Sequence, residues 1–289
     1  RMRHIRRYQD AVMVNASNWL VVAFPLHPWA AKVFPAFPAD ERLAKLWQAI
    51  AKACRLDLDD PVAAWKEHDR QLHARRELLT RKQYTALKYR APGTDLTVGL
   101  PQGHRWMGGH AKSANGINFI PNLPTEEVFT LPHKDRVDGI VRASLPLSYQ
   151  GALIENFALV FKGGRVVEFH AEKNEGFLRE IIETDEGSHR LGEVALVPQD
   201  SPIAASRLMF FNTLFDENAA SHLAFGRAYK FTLADGEEMS DDEFSARGGN
   251  ISLAHIDFMI GSDEMDIDGV LPDGRAEALM RAGRWAFEV

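Results

Sequence analysis

The sequence predicts an α/β part over residues 1–92 followed by a β-rich α+β part over residues 93–289. Three observations carry that division. An apolar run and two helical stretches come first, Ala91-Pro92-Gly93 then breaks the pattern, and short β-like runs bounded by Gly, Pro, Asn and Asp fill the rest. At 289 residues the chain is long for one average domain and comfortable for two.

Taken in order, Arg3 to Met13 reads as the tail of a helix. Asn18 to Phe24 (NWLVVAF) is a continuous apolar run ended by Pro25 and Pro28, the texture of a buried strand in a parallel sheet. Asp40 to Cys54 has helical spacing with Asp40 as N-cap. Pro61 opens a longer charged helix to about Lys88, with Asp60 at the cap and proline in the first turn. Strand, helix and long helix are the remainder of an N-terminal α/β layer. The chain begins with Arg inside a pattern, so a fragment is the expectation.

Beyond Gly93, Phe157–Lys162 and Arg165–Phe169 flank Gly163-Gly164, a two-residue turn that permits positive φ and predicts a hairpin. A helix over Asn174–Asp185 ends at Gly187 and feeds a strand over Gly192–Val197. A second helix is expected around Ala219–Phe225, and Val270–Arg275 holds a Pro-Asp-Gly turn. No repeat or low-complexity segment is present.

Apolar residues make up 45% of the chain, enough for a substantial core. The net charge of −6 argues against nucleic acid as the main partner, because phosphate binding calls for a positive surface. Basic clusters at Arg1, Arg3, Arg6 and Arg7 and at Arg75, Arg76, Arg81 and Lys82 read as solvated helix faces. The single cysteine, Cys54, excludes an intramolecular disulfide and reads as a small buried residue. No apolar run is long enough to span a membrane and none reads as a signal peptide, so a cytoplasmic protein is expected.

Metal-type residues cluster in four places. His255 and Asp257 lie two apart in the strand-like run Ile251–Ile260, so they share a face and can reach one centre. Burying both among Ile, Phe and Met costs several kcal/mol without compensation, which either a metal or a satisfied structural pairing supplies. The same spacing in His133-Lys134-Asp135 occurs in a polar loop and reads as surface. His222 and Tyr229 would share a face if a helix ran through both, with Glu217 on a nearby turn; a helix start capped by Asn218 and a core tyrosine is the plainer alternative. Glu193 opens the apolar strand Val194–Val197, where a lone carboxylate is poorly placed unless liganded. Glu126 and Glu127 form an acidic pair between Pro124 and the β-like Val128-Phe129-Thr130. On a strand they would point to opposite faces, so at most one is a direct ligand, and an ordinary solvated turn is the plainer alternative.

Several carboxylates and two histidines without cysteine suit a pair of divalent ions (Zn, Co or Mn) better than a structural zinc. A bridged pair is a hydrolytic device. The chain carries no G-x-S-x-G elbow, catalytic-cysteine pattern, H-E-x-x-H, phosphate loop or G-x-G-x-x-G.

On these residues the chain resembles the M29 (thermophilic aminopeptidase, aminopeptidase II) metallopeptidase family. The likeness lies in NLPTEEVFT (122–130), FDENAASHLAFGRAY (215–229) and HIDFMIGSDEMDIDG (255–269), in their order, and in WLVVAFPLHPWAAKVFP (19–35). The resemblance implies a cytoplasmic homodimer that removes N-terminal residues from peptides with a free N-terminus, with a β-rich metal-bearing catalytic domain after an α/β domain. It implies Glu127, Glu193, His222, His255 and Asp257 as ligands, with Glu217 as a further carboxylate at the site. The implied catalytic set is Glu126, Glu193 and Tyr229, with Glu193 preferred as the bridge between ions and Tyr229 as donor to the oxyanion. The competing expectations are an inactive, truncated metal-binding protein of the same fold and a two-metal hydrolase of another amide or ester.

Overall fold

The computed structural model of the protein describes Val12 and residues 15–289. The helix expected over Arg3–Met13 and the first basic cluster therefore lie outside the described residues, Val12 apart. Helices and strands mix along the chain, as an α/β composition predicts.

The N-terminal part supplies β1 (Val21–Val22) and helices α1 (His27–Val33), α2 (Arg42–Ala53) and α3 (Pro61–Lys82). Asp60 caps α3 as expected, its carboxylate accepting from Ala63 N at 2.9 Å. Asp40 does not cap α2. A turn over Pro38–Glu41 moves the start to Arg42 and leaves Glu41 at the cap without a side-chain bond. The run Asn18–Phe24 departs further from expectation. Only Val21 and Val22 form a strand, parallel to Asn122–Leu123 as the apolar texture suggested. Leu20, Val21, Val22 and Phe24 are nevertheless 45–69% exposed, because a two-stranded pairing is the only sheet cover this strand has among the described residues.

Helix α3 stops at Lys82 rather than near Lys88. Gln83 turns to a left-handed conformation and its amide donates to the carbonyls of Thr80 (2.7 Å) and His104 (2.9 Å). Past this turn the chain alternates as a strand, with Leu87 and Tyr89 buried and Lys88 and Arg90 pointing the other way. Thus β2 (Ala86–Ala91) and β3 (Thr94–Gly99) pair directly, and Gly93, at φ +80°, is the turn of a hairpin inside one sheet. The change of texture falls at Gln83.

The remaining strands are β4 (Ala111–Lys112), β5 (Asn118–Phe119), β6 (Asn122–Leu123), β7 (Val128–Thr130), β8 (Val137–Arg142), β9 (Leu147–Tyr149), β10 (Ala152–Lys162) and β11 (Arg165–Lys173). After helix α4 (Glu175–Ile182) come β12 (Leu191–Leu196), β13 (His222–Gly226), β14 (His255–Met259), β15 (Asp266–Val270), β16 (Ala276–Arg281) and β17 (Arg284–Trp285). The larger sheet runs β11-β10-β8-β3-β2-β15-β16-β17 with β9 attached to β10, and the smaller runs β14-β13-β12-β7. The Gly163-Gly164 hairpin forms with both glycines at positive φ. The Pro-Asp-Gly turn joins β15 to β16. The helix expected around Ala219–Phe225 is instead a single 3-10 turn, Glu217–Ala219, followed by β13. Both sheets face one core, where Phe258 of β14 packs 4.6 Å from Phe225 and 5.8 Å from Phe157 between ring centroids. No described helix is long and apolar enough to cross a membrane.

One irregularity in the smaller sheet aims a side chain. Leu191 pairs with Phe225 and Glu193 pairs with Ala224, so Gly192 is an extra residue on β12. Without that bulge Leu191 and Glu193 would share a face. With it, Leu191 enters the core and Glu193 turns to the opposite side. A Cβ on Gly192 would fall 2.3 Å from the carbonyl oxygens of Gly226 and Arg227. Gly192→Ala should therefore cost about 1–3 kcal/mol in urea unfolding and displace Glu193. An unchanged unfolding midpoint would contradict this reading of the bulge.

Candidate metal centre

The register of the smaller sheet brings distant residues into one row. Glu193, Ala224 and Asp257 are direct neighbours across β12, β13 and β14. In the flanking rows His222 lies between Ala195 and Met259, and His255 lies opposite Gly226. Strand alternation sends Val194, Leu223, Phe225 and Phe258 into the core and leaves the polar set on the other face. The floor between these polar side chains is made of Ala195, Ala224 and Gly226, none larger than a methyl group. Gly226 is obligatory there, since at φ +92° a Cβ would meet the Ala254 carbonyl at 2.2 Å.

Glu127, Glu193 and His222 offer ligand atoms that all lie within 4.8 Å of one another, and all three are buried. His222 Nε2 is 3.2 Å from Glu127 Oε2 and 3.5 Å from Glu193 Oε1. His255 Nε2 is 3.6 Å from Glu193 Oε2 and 3.5 Å from Asp257 Oδ1. Glu193 thus faces one histidine with each carboxylate oxygen. Both imidazoles are oriented from behind: His222 Nδ1 bonds the Ala220 carbonyl at 3.1 Å and His255 Nδ1 bonds the Arg227 carbonyl at 2.7 Å. A carbonyl only accepts, so Nδ1 carries a proton and Nε2 is the ring atom turned toward the carboxylate oxygens. Lone pair would face lone pair there unless a proton or a metal cation sits between them. Glu127 Oε2 is accordingly buried with no hydrogen-bond partner.

The acid–base properties say the same. Burial opposes charge on His222, yet Glu127 and Glu193 hold its pKa well above the ordinary value. Burial likewise opposes charge on His255, but Asp257 and Glu193 push it up to about 9. Burial raises Glu193, and burial followed by Glu127 and Asp257 raises Glu217 strongly. Asp257 is held low against burial by His255. A proton and a divalent cation compete for the same imidazole lone pairs, and a cation would also settle the surplus of carboxylates. Carboxylate and imidazole donors fit a divalent ion of the Zn, Co or Mn type.

These residues open on a cavity of about 640 Å³, also lined by Glu217 and Tyr229. The Tyr229 ring lies 4.8 Å from that of His255 and stacks on Phe231 at 5.2 Å. Burial, then Glu193 and Asp257, raise the Tyr229 hydroxyl pKa, keeping it protonated. Glu126 is elsewhere. Its carboxylate forms a bidentate pair with Arg55 at 2.5 and 2.9 Å, and it is not among the cavity-lining residues. Asn218, expected as a helix cap, instead accepts from Glu126 N at 2.7 Å, and the cap in that region is Asn212. His133-Lys134-Asp135 remains apart, Asp135 pairing with Arg190 at 2.7 Å. Of the second basic cluster, Arg76 is not a solvated residue: it lines the cavity and donates to the carbonyls of Gly108 and His110. Arg55, His68 and Phe231 carry no sequence signal for this region, because only tertiary packing brings them near.

The sequence profile of the thermophilic metalloprotease (M29) family matches residues 1–285. Aminopeptidase T of Thermus aquaticus is 53% identical over 285 residues, 99% of this chain and 69% of that protein. Aminopeptidase AmpS of Bacillus subtilis is 50% identical over 283 residues, 98% of this chain and 69% of that protein. The structure of wild-type AmpT from Thermus thermophilus superposes with a TM-score of 0.92 at 49% identity, over 99% of this chain and 69% of that one.

Adding Zn, Co or Mn to the chelator-stripped chain should raise its thermal midpoint, by the equivalent of about 2.7 kcal/mol at 100-fold the dissociation constant. Glu217→Gln removes a disfavoured buried charge, so it should raise the stripped midpoint and shrink the metal-induced increment. Equal stability of stripped and loaded protein would contradict the metal reading.

Proposed function

The chain belongs to the thermophilic metalloprotease (M29) family, and from that premise we propose that this metalloaminopeptidase hydrolyses the first peptide bond of substrates with a free N-terminus at the Glu193-centred site. The observation that carries the reading is the Glu193 carboxylate, each oxygen of which faces the Nε2 of a different histidine. Glu127, Glu193 and His222 would hold one divalent ion, and Glu193, His255 and Asp257 a second, with Glu217 beside them. When bound, such ions polarise a carbonyl and make water a competent nucleophile near neutral pH.

The protein's own groups complete the chemistry. Glu217, whose pKa burial and Glu127 raise, is suited to take the proton of the hydrolytic water and return it to the leaving amine. Tyr229, kept protonated at the cavity wall, is a hydrogen-bond donor for the oxyanion that develops at the scissile carbonyl. The surplus of carboxylates over imidazoles lining the cavity suits a substrate ammonium group. The cavity volume suits a short peptide segment. The small-residue floor of Ala195, Ala224 and Gly226 keeps the reacting region free of bulk.

Chelator-stripped protein with Zn, Co or Mn restored should release the N-terminal residue from free but not N-acetylated short peptides. His222→Ala should lower turnover at least 100-fold, on the order of losing a metal ligand's partner or more. Tyr229→Phe should lower kcat about 100- to 1,000-fold with KM near the wild-type value. Equal cleavage of blocked and free peptides, or full turnover by His222→Ala with metal bound normally, would sink the proposal.

A further inference from the structure

Glu126 and Glu127 are adjacent and both buried, yet they serve different surroundings. Glu127 precedes β7 and faces the cavity, with one carboxylate oxygen unpartnered. The close contact of that oxygen is with His222 Nε2, at 3.2 Å. Glu126 points away and is tied down on all sides.

We propose that Arg55, Glu126 and Asn218 form a clamp that positions Glu127 and thereby sets the metal affinity of the centre; the inference rests on reading that centre as a metal site. Arg55 Nη1 and Nη2 grip the two Glu126 oxygens at 2.5 and 2.9 Å. Arg55 itself leaves α2 in a left-handed conformation (φ +57°), and its guanidinium lies 5.3 Å over the Trp65 ring of α3. His68, also on α3, donates from Nε2 to the Thr125 carbonyl at 2.7 Å and therefore accepts from Arg55 at Nδ1, 3.2 Å away. On the far side Glu126 N donates to Asn218 Oδ1 at 2.7 Å, while the Asn218 amide donates to the Leu214 carbonyl at 3.0 Å.

The Glu126–Asn218 bond links the two acidic segments of the site, because Asn218 comes directly after Glu217. Glu127 and Glu217 are carboxylates lining the same cavity, so they repel one another. Two free segments would relax by moving the carboxylates apart. The bond holds the backbones together at the adjacent residues, and Arg55 anchors the pair to the helices. Arg55 also neutralises Glu126, so the anchor adds no net negative charge behind the centre. These residues touch no reacting atom; they are positioning residues.

The test is metal affinity by chelator competition on the folded chain, measured alongside kcat and KM. Glu126→Gln keeps the shape and the backbone donor but breaks the ion pair, and Asn218→Leu removes the acceptor at similar size. Each should raise the metal dissociation constant roughly 10- to 100-fold, as loss of an outer partner of a ligand does. Arg55→Lys should retain part of the affinity that Arg55→Met loses. Leu279→Ala, a core change on β16, should lower the unfolding midpoint and leave metal affinity at the wild-type value. Wild-type affinity in both Glu126→Gln and Asn218→Leu would overturn the clamp while leaving the metal centre intact. A wild-type chain that binds no divalent ion would overturn the metal reading and the clamp with it.

Discussion

The carboxylates of Glu127, Glu193, Glu217 and Asp257 converge on His222 and His255 within one cavity, and the cost of burying that charge is the constraint on which the rest depends. Ionised groups leave water only when paired, and two imidazoles are too few to pair these carboxylates. The sheet enforces the crowding: Glu193 and Asp257 are fixed on either side of Ala224, and His222 and His255 are locked by bonds from Nδ1 to backbone carbonyls. A framework that compels like charges together and aims two imidazole Nε2 atoms at them is preorganised for cations.

The two faces of the smaller sheet divide the labour. Phe225 and Phe258 pack the inner face against the larger sheet through Phe157, which makes the platform rigid. On the outer face, small residues keep space open under the polar groups. Gly192 connects the two requirements, because its bulge lets Leu191 serve the core and Glu193 serve the site within three residues. The helices join through Arg55 and His68, which reach the segment that carries Glu127.

Much of this was legible in sequence, for specific reasons. His255-Ile-Asp257 reads correctly as two residues on one face because strand alternation is local. Glu126 and Glu127 also point apart, though both lie in the loop before β7, and the structure sends Glu127 to the cavity and Glu126 to Arg55. The five residues named as ligands and Glu217 all line one cavity. The alanine-rich stretch before His222 favours a helix locally, but pairing with β12 and β14 overrides that preference and makes β13. The alternation of Leu87 and Tyr89 was hidden by the charged helix preceding it. The run at Asn18–Phe24 looked buried because apolarity reports what a segment can bury, while its exposure depends on neighbours elsewhere. The Gly192 bulge and the Arg55–Glu126 pair had no local sign, since each is defined by residues far away in sequence.

The location of bound metal is the most direct test of whether this face is built for cations. Crystals of the loaded protein, measured at the absorption edge of the added Zn, Co or Mn, should show two anomalous peaks flanking the Glu193 carboxylate. One should be in reach of Glu127 and His222, and the other in reach of His255 and Asp257. Two such peaks would establish that the crowded face exists to hold cations. A fully loaded, active protein with no peak at Glu193 would contradict the central claim.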